Sequence, residues 1–335
     1  MIHHRKRLFL FSLLIAALAV LLLAPIMGMK LVSWDAIAHP SSGSAEAEIF
    51  WQIRAPRVCV AFLAGAALAI SGMAFQAVFR NPLATPFTLG VASGASFGAA
   101  MYVRLGLAFG ILGISGMSVF AFAGAILSIL FVYGLTRVRI GFSISTLLLA
   151  GVAISFFFSS VILFTQYLSD FADSYRILRW LMGGLETVGF DSVLNLLPFI
   201  LGGSLLIFFM THELNLMMTG EEIAASRGAN VARIKQILFV ATSLMVGGVV
   251  AVCGPIGFVG MMIPHICRLL VGADHRYLAA ATFLFGGIFL TLCDLLARTL
   301  IAPAEMPVGI ITALLGGPFF IWLLWQRSSA KMGLL

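Results

Sequence analysis

The chain has 335 residues, of which 61% are hydrophobic and only 10% charged, and its mean hydropathy is +1.10. That composition excludes a soluble core wrapped in a polar shell and leaves a protein that lives in a bilayer. The formal net charge of +7 does not point to nucleic acid, because the basic residues stand singly or in small groups between apolar runs.

The first apolar run, residues 8–27, follows Arg5, Lys6 and Arg7. It has the charge pattern of a signal peptide, and small residues follow at 41–47. Its length and the many spans after it instead predict a first membrane helix with its N-terminus in the cytoplasm. Reading apolar runs against polar breaks, we expect about ten transmembrane helices, near residues 8–28, 56–78, 88–105, 113–135, 143–167, 191–211, 235–253, 257–271, 278–299 and 307–326. Too little polar sequence separates them for an extramembrane domain, so residues 1–335 are expected to form a single transmembrane domain. Placing the N-terminus inside puts 13 of the 20 basic residues on the cytoplasmic side. This bias predicts that both termini are cytoplasmic.

Along α-helical spans, small residues four apart let backbones approach closely, as at Ala61, Gly65 and Ala69, or at Gly94 and Gly98. Two apolar regions are interrupted by Pro and Gly, one from Asn81 to Gly90 and one from Gly254 through Pro264 and His265. Unwound backbone at membrane depth is tolerated only where protein or a wet cavity satisfies it.

The longest cytoplasmic segment, about residues 212–234, carries Gly220, Glu221, Glu222, Ala224 and Gly228. Acids at its start and glycine at its end suit a short surface helix. Such a helix is either a solvated connector or a docking element for a cytoplasmic partner.

Motifs for chemistry do not surface. No GxxxxGK[ST] surrounds any of the four lysines, Lys6, Lys30, Lys235 and Lys331, so no P-loop is present. The six histidines show no metal-ligand spacing, and Cys59, Cys253, Cys267 and Cys293 form no cluster. The cysteines are expected to pack, and no metal or cofactor is expected to be held by the chain. Within a span, Asp294 has Arg298 four residues later, a spacing that favours an ion pair over a proton relay. So little embedded charge argues that transport energy comes from a separate ATPase rather than from an ion gradient. The alternative is a stand-alone ion-coupled secondary transporter using Asp294.

From Arg54 onward the chain resembles the FecCD-type permeases, ABC importers of iron–siderophore complexes, haem and vitamin B12. The resemblance rests on ordered landmarks: Arg54-Ala-Pro-Arg57, Arg80-Asn-Pro-Leu-Ala84, Leu148-Leu-Ala-Gly151, Gly220-Glu-Glu222, Gly257-Phe-Val-Gly260, Asp274-His-Arg276 and Glu305-Met-Pro-Val-Gly309. It implies an all-α, BtuC-like type II ABC importer fold in the bacterial inner membrane. It also implies a homodimer served by two cytoplasmic ATP-binding subunits, which hold ATP–Mg, and by a periplasmic substrate-binding protein. On the same resemblance, Arg54, Arg57 and Arg298 receive acidic side chains of the binding protein. Asn81, Leu83 and Ser145 match cytoplasmic gate positions, with Ile144 where a B12-type relative has a hydroxyl. Gly220, Glu221, Glu222, Ala224 and Gly228 match the element that couples to the ATPase, with Arg227 where an apolar residue is more usual. Iron chelates and haem come first as cargo, with cobalamin close behind. A stretch from Trp180 through Gly184 leans toward the B12 type.

Overall fold

The structure, a computed structural model, describes residues 2–28, 32–40, 43–111, 113–137 and 144–332. Among the described residues ten helices form the bundle: α1 (Ile2–Leu23), α4 (Ala55–Phe79), α5 (Val91–Arg104), α6 (Gly116–Arg137), α7 (Ile144–Tyr167), α9 (Asp191–Phe209), α12 (Val231–Cys253), α13 (Val259–Val271), α14 (His275–Thr299) and α15 (Val308–Met332). Each coincides with one of the expected spans. Among the described residues seven helical segments are long and apolar enough to cross a membrane; α13 and α15 contain shorter apolar helices, and α5 is a Gly- and Ala-rich helix of 14 residues. Short helices fill the connections: α2 (Trp34–Ala38), α3 (Ala45–Glu48), α8 (Phe171–Leu181), α10 (Thr211–Met218) and α11 (Glu221–Ser226). A two-residue-per-strand hairpin pairs Gly110–Ile111 with Ile114–Ser115.

Helix α4 is the axis of the bundle. It continues α3 through a π-helical turn at Ile49–Arg54, is almost wholly buried, and packs against α14, α12, α13 and α9. Its 25 residues extend about 37 Å at 1.5 Å per residue, enough to reach from one side of a bilayer to the other.

Small residues make this packing possible. A Cβ added at Gly65 would lie 2.3 Å from the carbonyl oxygen of Gly286 on α14, and one at Gly94 would lie 2.4 Å from that of Gly124 on α6. Where lipid provides no hydrophobic drive, such backbone proximity and its dispersion contacts hold helices together. Helix α1 contrasts with α4: it is largely exposed and leans mainly on α14.

Both predicted breaks form, with different limits. The first runs from Arg80 through the 3-10 turn Pro86–Leu89, and Gly90, at φ 87°, starts α5. The second ends earlier than expected. Only residues 254–258 are unwound, and Pro264 and His265 lie inside α13. Pro264 cannot donate to the carbonyl of Gly260, four residues before it. The side-chain amide of Gln76 on α4 makes up the loss, donating at 3.3 Å to the carbonyls of both Gly260 and Met261. This external donor lets a proline persist in a buried helix.

Candidate functional site

Candidate functional residues collect at the two ends of α4 and between them. At its N-terminal end, Arg57 follows Pro56 in the first turn. The guanidinium Nε of Arg57 donates to Asp294 Oδ1 at 2.9 Å, and Nη1 donates to Glu305 Oε2 at 2.6 Å. Across the same carboxylate, Arg298 Nε lies 3.0 Å from Asp294 Oδ2. Asp294 is fully buried, while Arg57 and Arg298 are each 7% exposed. The spacing of Asp294 and Arg298 on α14 foretold half of this cluster. The other half joins residues 237 apart in sequence.

Arg54 is half-buried and donates to the carbonyl of Ile26 at 3.3 Å, closing the turn that ends α1. The three arginines of the resemblance therefore do gather at one end. Arg57 and Arg298 sit inside the chain against its own carboxylates, and Glu305 is the partly exposed member of the group. Arg298 Nη2 is buried and makes no hydrogen bond.

At the opposite end, α10 and α11 lie under the bundle. Helix α11 starts at Gly220 (φ 119°) and closes with a Schellman motif: the amide of Gly228 donates to the carbonyl of Ala225 at 2.9 Å, and that of Ala229 to Ala224 at 3.0 Å. Gly228 adopts φ 86°, a left-handed value glycine accepts without a Cβ penalty. The short helix ending at Gly228 is thus present as read from sequence. Glu222 and Gly228 are exposed, whereas Ala224 is fully buried within the chain.

Two attachments fasten this segment to the membrane helices. Lys235 Nζ, on α12, donates to Glu221 Oε2 at 2.7 Å. Asn215 of α10 accepts the backbone amide of His275 at 2.9 Å and donates to Asp274 Oδ1 at 3.0 Å, at the start of α14. Asp274 also receives Arg276 Nη2 at 3.0 Å. The Arg276 guanidinium and the Asn215 amide hold the Asp274 carboxyl well below the usual carboxylate range, outweighing the opposing effect of burial. Neither attachment was legible from spacing, because Lys235 reads as an ordinary basic flank and Asn215 as a solvated polar residue.

Between the two ends lie the breaks. Asn81 Oδ1 accepts the amide of Leu83 at 2.9 Å, a local turn that leaves Leu83 exposed. Ser145 lies in the first turn of α7, and its side chain falls outside the described residues. The two breaks face each other across a cavity of about 210 Å³, lined by Thr85, Pro86 and Phe87 from one and Ile256, Gly257 and Phe258 from the other. Phe87 also borders a groove of about 650 Å³ between α5 and α7, where Ser93, Ser96, Ser155, Ser159 and Gln166 alternate with apolar residues such as Phe156. Among the described residues no group of His, Cys, Asp and Glu is arranged to hold a metal ion.

A bundle of ten membrane helices, with broken elements at its middle and a short helix fastened beneath it, defines a polytopic permease of the ABC importer class. The profile of the FecCD transport family matches residues 13–326, and the chain belongs to that family. In transporters of this class the ATPase activity is carried by a partner subunit.

The chain is 37% identical over 330 residues to the hemin transport permease HmuU of Yersinia pestis, spanning 98% of both chains. It is 40% identical over 284 residues to the vitamin B12 import permease BtuC of Yersinia enterocolitica, covering 84% of this chain and 83% of that one. Among solved structures it is similar to a metal-chelate type ABC transporter in an inward-facing conformation, with TM-score 0.84 and 30% identity over 95% of this chain and 99% of the other.

Proposed function

We propose that the chain is the membrane-spanning half of an ATP-driven importer for a large iron chelate, haem or a ferric siderophore before cobalamin, in the bacterial inner membrane with both termini cytoplasmic. The observation that carries this reading is the groove between α5 and α7, adjoining the cavity where the two breaks meet. Hydroxyl and amide groups alternate there with aromatic and aliphatic walls, a surface suited to a bulky cargo with an apolar body and polar edges. The end-to-end likeness to a hemin permease supports the same cargo class.

A second copy of the chain closes the path, with Asn81, Leu83 and Ser145 at its inner gate. Two ATP-binding subunits, holding ATP–Mg, press on the segment that carries Gly220, Glu221, Glu222, Ala224 and Gly228, meeting it at exposed positions such as Glu222 and Gly228. The bonds from Glu221 to α12 and from Asn215 to α14 give that push two routes into the bundle. A binding protein docks at the end bearing Arg54, Arg57 and Arg298. Arg298 Nη2, unpaired within the chain, and Glu305, exposed beside Arg57, suit exchange of an internal carboxylate for an incoming one.

Asp294 speaks against the ion-coupled alternative, since two guanidiniums hold its carboxylate. The test is uptake into proteoliposomes holding this chain and its co-purified ATPase, with binding protein outside, ATP inside, and labelled haem, ferric siderophore and cobalamin in parallel. Accumulation of an iron chelate only with ATP is expected. Accumulation that follows an ion gradient without ATP would overturn the reading, and cobalamin alone would reassign the cargo.

A further inference from the structure

A cavity of about 220 Å³ opens beside the C-terminal end of α4, lined by Gln76, Arg80, Asn81, Met218, His265, Arg268 and their neighbours. It contains two guanidinium groups and no carboxylate. Among the described residues neither Arg80 nor Arg268 takes part in an ion pair, although every arginine at the other end of α14 and α4 has an oxygen partner. Arg268 spends Nη2 on Gln76 Oε1 at 3.2 Å, while its Nε is buried without a hydrogen bond. Arg80, exposed and at φ 46°, reaches over Gly220. Concentrated, unneutralised positive charge beside buried, unsatisfied N–H is costly unless an anion completes it.

We propose that this cavity binds a phosphate-bearing anion, with Arg80 and Arg268 as the ligating pair and Asn81 as an amide donor. Arginine forks match the tetrahedral oxygens of phosphate. Leu269, at the rim, is 71% exposed, and Leu270 beside it is also exposed. An anion carried on an acyl chain would find its head group in the cavity and its tail along those leucines. Basic pockets between membrane helices hold acidic lipid head groups in this way. The two sources of such an anion are an acidic phospholipid of the leaflet at the α10–α11 end and soluble phosphate.

The experiment uses the full-length permease in nanodiscs of phosphatidylcholine containing a minor share of phosphatidylglycerol. Lipid retained after gentle extraction is counted by native mass spectrometry. A parallel arm follows the thermal transition of delipidated permease in detergent as inorganic phosphate is added. Arg233→Gln, which removes one positive charge, as each half of the double variant does, from an exposed site off the cavity, is the control.

Phosphatidylglycerol retention falling about tenfold in Arg80→Gln/Arg268→Gln, and unchanged in Arg233→Gln, supports the site with lipid as its ligand. A phosphate-dependent rise in the transition, lost only in the double variant, supports it with a soluble anion. Equal retention and equal phosphate response in all three proteins overturns it, as does an equal loss in Arg233→Gln. Should the double variant fail to fold, Arg80→Gln alone carries the same readings, since that side chain is exposed.

Discussion

Gln76 supplies from one helix the hydrogen bond that Pro264 removes from another, its amide lying 3.3 Å from the carbonyls of Gly260 and Met261. The same side chain accepts from Arg268. Replacement by leucine keeps the volume, leaves the Gly260 carbonyl without the donor that stands in for Pro264, and strips an arginine N–H of its acceptor. The expected cost is about 1–3 kcal/mol, read as a lowered thermal transition of the purified permease. An additional Pro264→Ala should recover part of that loss by restoring the helix's own donor, and no recovery would refute the pairing.

Lys235 is 5% exposed, and its partner carboxylate, Glu221, is about one-third exposed. Removing the acid strands a buried ammonium, whereas replacing Lys235 by methionine removes the charge and keeps the stem. Glu221→Gln is therefore expected to destabilise by about 1–3 kcal/mol and Lys235→Met by less. Both should reduce the ATPase stimulation that accompanies transport, because both release α11 from α12. Full stimulation in both variants would show that force does not pass through this bond.

Asp294 pairs with two arginines, so Asp294→Asn leaves Arg298 buried and uncompensated and Arg57 with Glu305 alone. A loss of about 3–5 kcal/mol is expected, with poor membrane insertion or rapid inactivation. Glu305→Gln touches only the exposed edge of the cluster, should cost far less, and should tighten docking of the binding protein by freeing Arg57 Nη1 while Asp294 still holds Nε. An Asp294→Asn variant of normal stability that has lost transport would instead indicate an ion-carrying role.

Asp274 has its carboxyl pKa depressed from 3.8. A depressed folded pKa means that the carboxylate's contribution to stability is complete above the unfolded value and is lost as pH falls through the folded one. Below about pH 4, the thermal transition of the native protein should therefore fall more steeply with acid than that of Asp274→Asn. Parallel slopes would show that Asn215 and Arg276 do not hold the ionised form.

The membrane helices were legible because an apolar run long enough to cross a bilayer is a strong signal that survives uncertain ends. Connecting helices such as α8 and α10 were not, since their polar residues read equally as loop; α8 buries little beyond Ile177. Pro264 gave two readings, inside the expected span 257–271 and at the end of an expected break, and only the first holds. Local chemistry says that proline breaks a helix, and only a side chain 188 positions away, Gln76, provides the donor that keeps this one intact. The same limit hid Arg57 from Asp294, while the four-residue spacing on α14 exposed Arg298 as a partner. Site residues defined by short spacing, such as the α11 terminus at Gly228, could be read directly. Those completed by tertiary contact could not.

The distance in sequence between Arg57 and Asp294 also sets a problem of timing. A ribosome adding about 5–20 residues per second needs roughly 10–50 s to make the 237 residues that separate them. Throughout that interval the nascent chain carries Arg57 near a membrane surface without the counter-ion it will finally keep. Its long side chain can reach the interfacial water meanwhile, but α4 cannot settle into its buried position until α14 emerges. Insertion of the early helices is thus provisional, and the permease becomes a closed structure only when nearly all of it has been synthesised.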